Sequence, residues 1–152
     1  MTMDRFRLLP GEIPEFLYRV DYEGSATIYS PDRGLEAQDT VSTYNSDHGF
    51  GDATQRHLNW DHEFRSVFIS LFSFKSHTIN WMKTRNTHCN LLKIDTTALR
   101  DLYVFRAQQI EKELRLSVRE TASASLRNEY LVLHRIPAAA ITLIETRLAL
   151  GP

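Results

Sequence analysis

Apolar residues fall along this chain in short runs, and their spacing predicts a series of strands with a few helices between them. After an irregular start running to Pro14, Phe16-Leu-Tyr-Arg-Val-Asp21 reads as a strand of aromatic and β-branched side chains. Val67-Phe-Ile-Ser-Leu-Phe72 is almost continuously apolar with polar flanks, the pattern of a central strand buried on both faces. Further strands are predicted at 90–94, 102–105, 129–134 (stopped by Ile136-Pro137) and 142–146. Helices are predicted at 53–62 behind the capping-box pattern Asp52-Ala-Thr-Gln55, and at 76–85 with Ser76 as N-cap. A third is predicted at 107–116, where Ile110 and Leu114 share a face. Residues 117–127 read as a polar connection with helical potential, 95–97 as a turn or a single helical turn.

Glu23-Gly-Ser25 and Ser30-Pro-Asp-Arg-Gly34 are turn signals. Residues 36–51 are polar and rich in Asp, Ser, Thr, Asn and Gly, which predicts a long surface loop. A loop of that length is usually mobile or functional, so it is expected to border a site. The strands and helices do not alternate strictly, so the expected class is α+β rather than doubly wound. With no repeat, linker or low-complexity tract, the expectation is a single domain over 1–152.

Hydrophobic residues make up 42% and charged residues 24% of the chain, a balance that excludes intrinsic disorder. Net charge is −1, so bulk electrostatics gives no pull toward nucleic acid. No apolar run approaches the roughly 18 residues of a membrane helix, and Met1–Arg7 lacks an apolar signal core. These features predict a soluble intracellular protein, cytoplasmic or nuclear, with no membrane partner. Cys89 stands alone, which rules out an internal disulfide, fits a reducing compartment and reads as a packed thiol.

Several chemistries lack their signatures. Six histidines (48, 57, 62, 77, 88 and 134) invite a metal site, but His57 and His62 are five apart and leave one helix face. His88 and Cys89 are adjacent, which suits neither a helix nor a strand chelate, so no metal is expected. Gly49-Phe-Gly51 follows no strand and lacks a third glycine, and no Walker A loop or GxSxG elbow occurs.

Three polar residues interrupt strands that are otherwise apolar: Arg19, Ser70 and Glu129. Burying a charge or hydroxyl in a core strand is costly unless it is paired. Singly, each has a plainer explanation. Arg19 could face solvent from an edge, Ser70 could bond its own backbone, and Glu129 could flank a strand end.

Together, in this order, they resemble the Arg-Ser-Glu branch of the ADP-ribosyltransferase superfamily. The resemblance rests on Leu17-Tyr18-Arg19 in the first strand, then Gly34-Leu35, then Ile69-Ser70-Leu71-Phe72-Ser73 leading into a helix, then Glu129 opening a late strand that ends at Ile136-Pro137. It spans residues 16–144. Phrases such as Glu-Tyr-Leu-Val-Leu-His-Arg-Ile-Pro are also similar to an uncharacterised domain family of filamentous fungi. The resemblance implies a split β-sheet core with flanking helices and NAD⁺ as substrate, consumed by glycosyl transfer or by hydrolysis.

Within that resemblance Glu129, Ser70 and Arg19 are the implied catalytic set. Tyr18, Arg19, Gly34, Ser70, Phe72, Ser73 and Tyr44 would hold the dinucleotide, with Phe72 or Tyr44 stacking on nicotinamide and Trp81 left to the core. Glu129 would stabilise the oxocarbenium-like transition state, as a carboxylate does in glycoside hydrolysis. Arg19 would hold the diphosphate or adenosine ribose, and Ser70 would orient Glu129 or the nicotinamide ribose.

Two departures matter. Where many members carry Glu or Gln two residues before the catalytic Glu, this chain has Arg127. Of the Ser-Thr-Ser triplet only Ser70 remains in register. The first departure turns expectation away from modification of arginine side chains and toward NAD⁺ hydrolysis, an unusual acceptor (protein, nucleic acid, small molecule or water) or a dead site. The alternative is a degenerate, non-catalytic module that binds a nucleotide or a protein.

Overall fold

A computed structural model describes residues 2–84 and 87–148. The chain begins with the short helix α1 (Thr2–Phe6) and a 3₁₀ turn at Pro10–Glu12, where the sequence predicts only irregular backbone. Strands β1 (Phe16–Tyr22), β2 (Ile28–Ser30) and β3 (Gly34–Glu36) follow, then helix α2 (Asp47–Leu58). Next come β4 (Phe68–Phe72), α3 (Lys75–Thr84), β5 (Cys89–Asp95), a 3₁₀ turn, β6 (Val104–Arg106) and α4 (Ala107–Glu113). A single turn α5 (Glu120–Ser123) and another 3₁₀ turn lead into β7 (Glu129–Leu133), β8 (Arg135–Ile136) and β9 (Ile141–Arg147).

Six strands form one antiparallel sheet in the order β6-β7-β4-β1-β5-β9, and β2-β3-β8 form a second sheet. The architecture is mixed, with an antiparallel sheet flanked by helices, as an α+β reading of the pattern requires. The small sheet is a departure from the expected strand list. Its strands are two or three residues long, too short for hydrophobic alternation to reveal. The Ser30–Gly34 turn signal marks the β2–β3 hairpin, where Ser30 Oγ accepts from Arg33 N.

The two faces of the large sheet bury different things. Leu17, Ile69, Leu71, Leu92, Val104 and Val132 pack with Leu35 and Ile136 of the small sheet. On the other face Phe68, Phe105, Leu131 and Leu133 meet Phe50 and Ala53 of α2 and Ile110 of α4. Phe50 is fully buried, its ring 5.5 Å from Phe6, 5.2 Å from Phe105 and 6.0 Å from Phe68. Further along this same face Val20, Leu91 and Met82 of α3 form a separate cluster. The face therefore carries two apolar patches, one under α2 and α4 and one under α3.

Helix α2 begins earlier and ends sooner than the predicted 53–62. Ser46 is the N-cap, its Oγ accepting from Gly49 N at 3.1 Å. Asp52, read from sequence as part of a capping box, lies mid-helix and pairs with Arg56 at 3.0 Å. The predicted 36–51 loop shrinks to 37–46 and is tied down along its length. Asp39 N donates to the Ser66 carbonyl, His134 Nε2 meets the Ser42 carbonyl at 2.7 Å, and Arg65 Nη2 donates to the Gln38 carbonyl. Helix α3 likewise starts at Lys75, with Ser76 inside it rather than capping it; the predicted end at Arg85 lies outside the described residues.

Candidate functional site

Strand β1 pairs with β5 at seven register positions, from Phe16↔Asp95 to Tyr22↔Cys89. With β4 it pairs at Tyr18↔Phe72. Past that pair side-chain bonds bridge the two strands. Arg19 spans the gap, donating from Nη1 to the Ser70 carbonyl at 3.0 Å and from Nη2 to Ser25 Oγ at 3.1 Å. Its Nε is buried with no hydrogen-bond partner. Burial works against its charge, while Tyr22, Asp21 and Glu129 favour it.

Phe72 also pairs with Glu129, so Tyr18, Phe72 and Glu129 form one row across three strands. Ser70, two residues from Phe72, shares their face. Its Oγ donates to Glu129 Oε2 at 2.7 Å. The structure thus brings Arg19, Ser70 and Glu129 together, in the seam between the two apolar patches. Glu129 is 6% exposed, and burial pushes its carboxyl up to about 7. The Ser70 hydrogen bond and Arg19 pull in the opposite direction.

A fourth member was missed in the sequence. His57 Nε2 lies 2.7 Å from Ser70 Oγ, and His57 Nδ1 lies 2.6 Å from Ser66 Oγ. Burial, and then Arg19, push the imidazole down to about 3, so it is neutral at neutral pH. The signal was present: Phe50, Ala53, Thr54, His57 and Leu58 follow the spacing of one buried helix face. Starting the helix at 53 hid that register.

The remaining predicted residues divide. Ser73 closes the site's edge, its N donating to the Asn128 carbonyl at 2.9 Å and its Oγ to Asn128 Oδ1 at 3.4 Å. This fixes the end of β4 to the residue before Glu129. The Phe72 ring lies 6.1 Å from that of His77 in the first turn of α3. Trp81 packs edge-on against Tyr22 at 5.3 Å beside the α3 cluster.

Gly34 and Tyr44 lie apart from the network. Gly34 has φ +87° and a Cβ there would sit 2.1 Å from the Ile136 carbonyl oxygen, so backbone packing between β3 and β8 accounts for the glycine. Tyr44 packs beside Gly49 in the first turn of α2, while His57 is eight residues on, about 12 Å along the helix. Two open surface hollows, about 320 and 230 Å³, are lined by neither Ser70 nor Glu129. Arg127 is exposed, two residues before Glu129.

Among solved structures, EcPltA, an ADP-ribosyltransferase-like toxin subunit, matches over 84% of this chain and 72% of its own, at 15% identity and a TM-score of 0.57. At that identity the likeness is one of fold, and the fold is ADP-ribosyltransferase-like. No curated protein matches. A family model described as a domain of unknown function covers residues 12–146, nearly the whole described chain, and the protein therefore belongs to that family, DUF7587.

Proposed function

We propose that this protein binds NAD⁺ in the seam between β1 and β4 and breaks its nicotinamide–ribose bond. The observation that carries the reading is the Ser70–Glu129 bond, with Arg19 held to the same serine. In the reaction the C1′–N bond breaks, its electron pair stays with nicotinamide, and positive charge spreads over C1′ and the ring oxygen until an acceptor oxygen or nitrogen attacks. A carboxylate at Glu129 stabilises that charge. Ser70 orients the carboxylate by hydrogen bonding one of its oxygens. Arg19, with an unused Nε–H, supplies a charged donor for the dinucleotide's diphosphate. Tyr18 and Phe72, in the same row as Glu129, offer aromatic surface for a nicotinamide ring.

His57, neutral and bonded to Ser70, keeps a second positive charge away from the ribosyl cation. Because Glu129 is nearly covered, NAD⁺ reaches it only when the seam widens. That burial also favours a second reading, a non-catalytic module of the same fold. Incubating the protein with NAD⁺ and measuring free nicotinamide separates the two, with calorimetry reporting NAD⁺ binding. Release that depends on Glu129 supports the enzyme; binding without release supports a nucleotide-binding module; the absence of both defeats the enzyme and favours a module that binds a protein.

A further inference from the structure

Ser66 stands at the far end of the chain of hydrogen bonds that begins at Glu129, and the chemistry above makes no use of it. Its Oγ lies 2.6 Å from His57 Nδ1 and accepts from Phe68 N at 3.0 Å. The other ring nitrogen meets Ser70, which meets Glu129, each at 2.7 Å. Four side chains from α2, the entry to β4, β4 itself and β7 thus form one unbroken line.

Proton counting restricts this line to two states. A neutral imidazole carries one N–H, and each hydroxyl has one proton to give. When Glu129 is a carboxylate it can only accept, so Ser70 donates to it. Ser70 then accepts from His57 Nε2–H, His57 Nδ1 is bare, and Ser66 donates to it. Phe68 N occupies an acceptor position on Ser66 in both states. When Glu129 carries its proton on Oε2, the oxygen that faces Ser70, the line reverses: Glu129 donates to Ser70, Ser70 to His57 Nε2, and His57 Nδ1–H to Ser66.

The two states interconvert by three hops. The Ser66 proton passes to His57 Nδ1, the Nε2 proton to Ser70, and the Ser70 proton to Glu129. A proton from water then restores the Ser66 hydroxyl. Ser66 is partly exposed, whereas Glu129 is buried.

We infer that Ser66, His57 and Ser70 form a proton relay that charges and discharges the buried Glu129, with Ser66 the positioning residue that ties the His57 tautomer to the state of Glu129. The charged group acting on both His57 and Glu129 is Arg19 of β1, with Tyr22 and Asp21 of the same strand acting on Arg19. Helix α2 contributes His57, and β4 has no ionisable side chain. The inference takes its functional meaning from the proposed use of Glu129, but its geometry needs no NAD⁺.

The test is long-range proton–nitrogen NMR of the ¹⁵N-labelled full chain, following the His57 ring through the titration of Glu129. Wild type is expected to show Nε2–H at high pH and Nδ1–H at low pH. Glu129→Gln is expected to lose that pH dependence. Ser66→Ala is expected to keep Nε2–H at high pH, where Ser70 and Glu129 fix it, and to lose the Nδ1–H form at low pH, where that proton has no acceptor. It is also expected to lower kcat for nicotinamide release several-fold with KM unchanged, while Ser66→Thr restores both. Melting temperatures show that each variant is folded. A His57 tautomer independent of pH in wild type, or wild-type behaviour in Ser66→Ala, overturns the relay. Wild type that switches tautomer but releases no nicotinamide defeats the catalytic reading and leaves the relay standing.

Discussion

Ser70 and Glu129 stand 59 residues apart in sequence, yet the serine hydroxyl donates to the carboxyl Oε2 at 2.7 Å. The bond exists because β4 and β7 pair in register, Ser70 opposite Leu131 and Phe72 opposite Glu129. The serine therefore approaches the carboxyl diagonally across one face of the sheet, at a spacing that long side chains bridge. It supplies a partner to a carboxyl that has little contact with water.

If the protein cleaves NAD⁺, Glu129→Gln is expected to lower kcat by about a hundred-fold or more with a smaller change in NAD⁺ affinity, because the lost charge acts on the transition state. Arg19→Ala is expected to weaken NAD⁺ binding instead, since diphosphate charge is the same in ground and transition states. Nicotinamide release and NAD⁺ titration calorimetry on both variants make the comparison, with melting temperature as the folding control. Full turnover in folded Glu129→Gln sinks the mechanism.

Burial raises the folded pKa of Glu129 from 4.5 to about 7. The native state then holds a proton that the unfolded chain has already lost, so stability falls as pH rises from 4.5 through about 7. A shift of that size corresponds to about 3 kcal/mol. Glu129→Gln removes the penalty, so urea unfolding is expected to show the variant gaining stability over wild type as pH rises and little difference in acid. The same ionisation predicts catalytic activity that falls as pH drops below about 7. Parallel stability curves for the two proteins contradict the assignment.

His57 has the opposite linkage. Its folded pKa lies near 3 against 6.5 for the free side chain. As pH falls below 6.5 the unfolded chain gains a proton that the native ring refuses, so wild type loses stability between those two values. His57→Gln is expected to flatten that acid limb. It is also expected to lower kcat for nicotinamide release, because Ser70 loses its ring partner. An acid limb unchanged in the variant means that His57 is not the group responsible.

Gly34 separates packing from binding. An alanine there meets both a positive φ and the Ile136 carbonyl oxygen, so Gly34→Ala is expected to cost at least about 2 kcal/mol and to lower the melting temperature. The folded fraction is expected to keep the NAD⁺ affinity of wild type. A stable Gly34→Ala protein with weakened NAD⁺ binding assigns the glycine to the site instead.

Much of the fold was legible because long, apolar strands announce themselves. The runs at 16–21, 67–72 and 129–134 correspond to β1, β4 and β7, the strands that carry Arg19, Ser70 and Glu129. The anomaly of a polar residue in each run was equally local, and it pointed to side chains that the structure brings together. The strands β2, β3 and β8 were not legible: two or three residues are too few for a period to show, and they persist because their apolar side chains cover the large sheet.

What the chain determined by itself was composition, period and the placement of misfit polar residues, all of which depend on near neighbours. What only the tertiary structure decided was which side chains meet. His57 is an ordinary inward-facing helix residue until α2 packs over β4 and sets its ring between Ser66 and Ser70. That Gly34 lies against Ile136 and Tyr44 beside Gly49 at the start of α2 is likewise written in no local pattern. The elevated pKa of Glu129 exists in no local segment, because desolvation is a property of everything packed around the carboxyl.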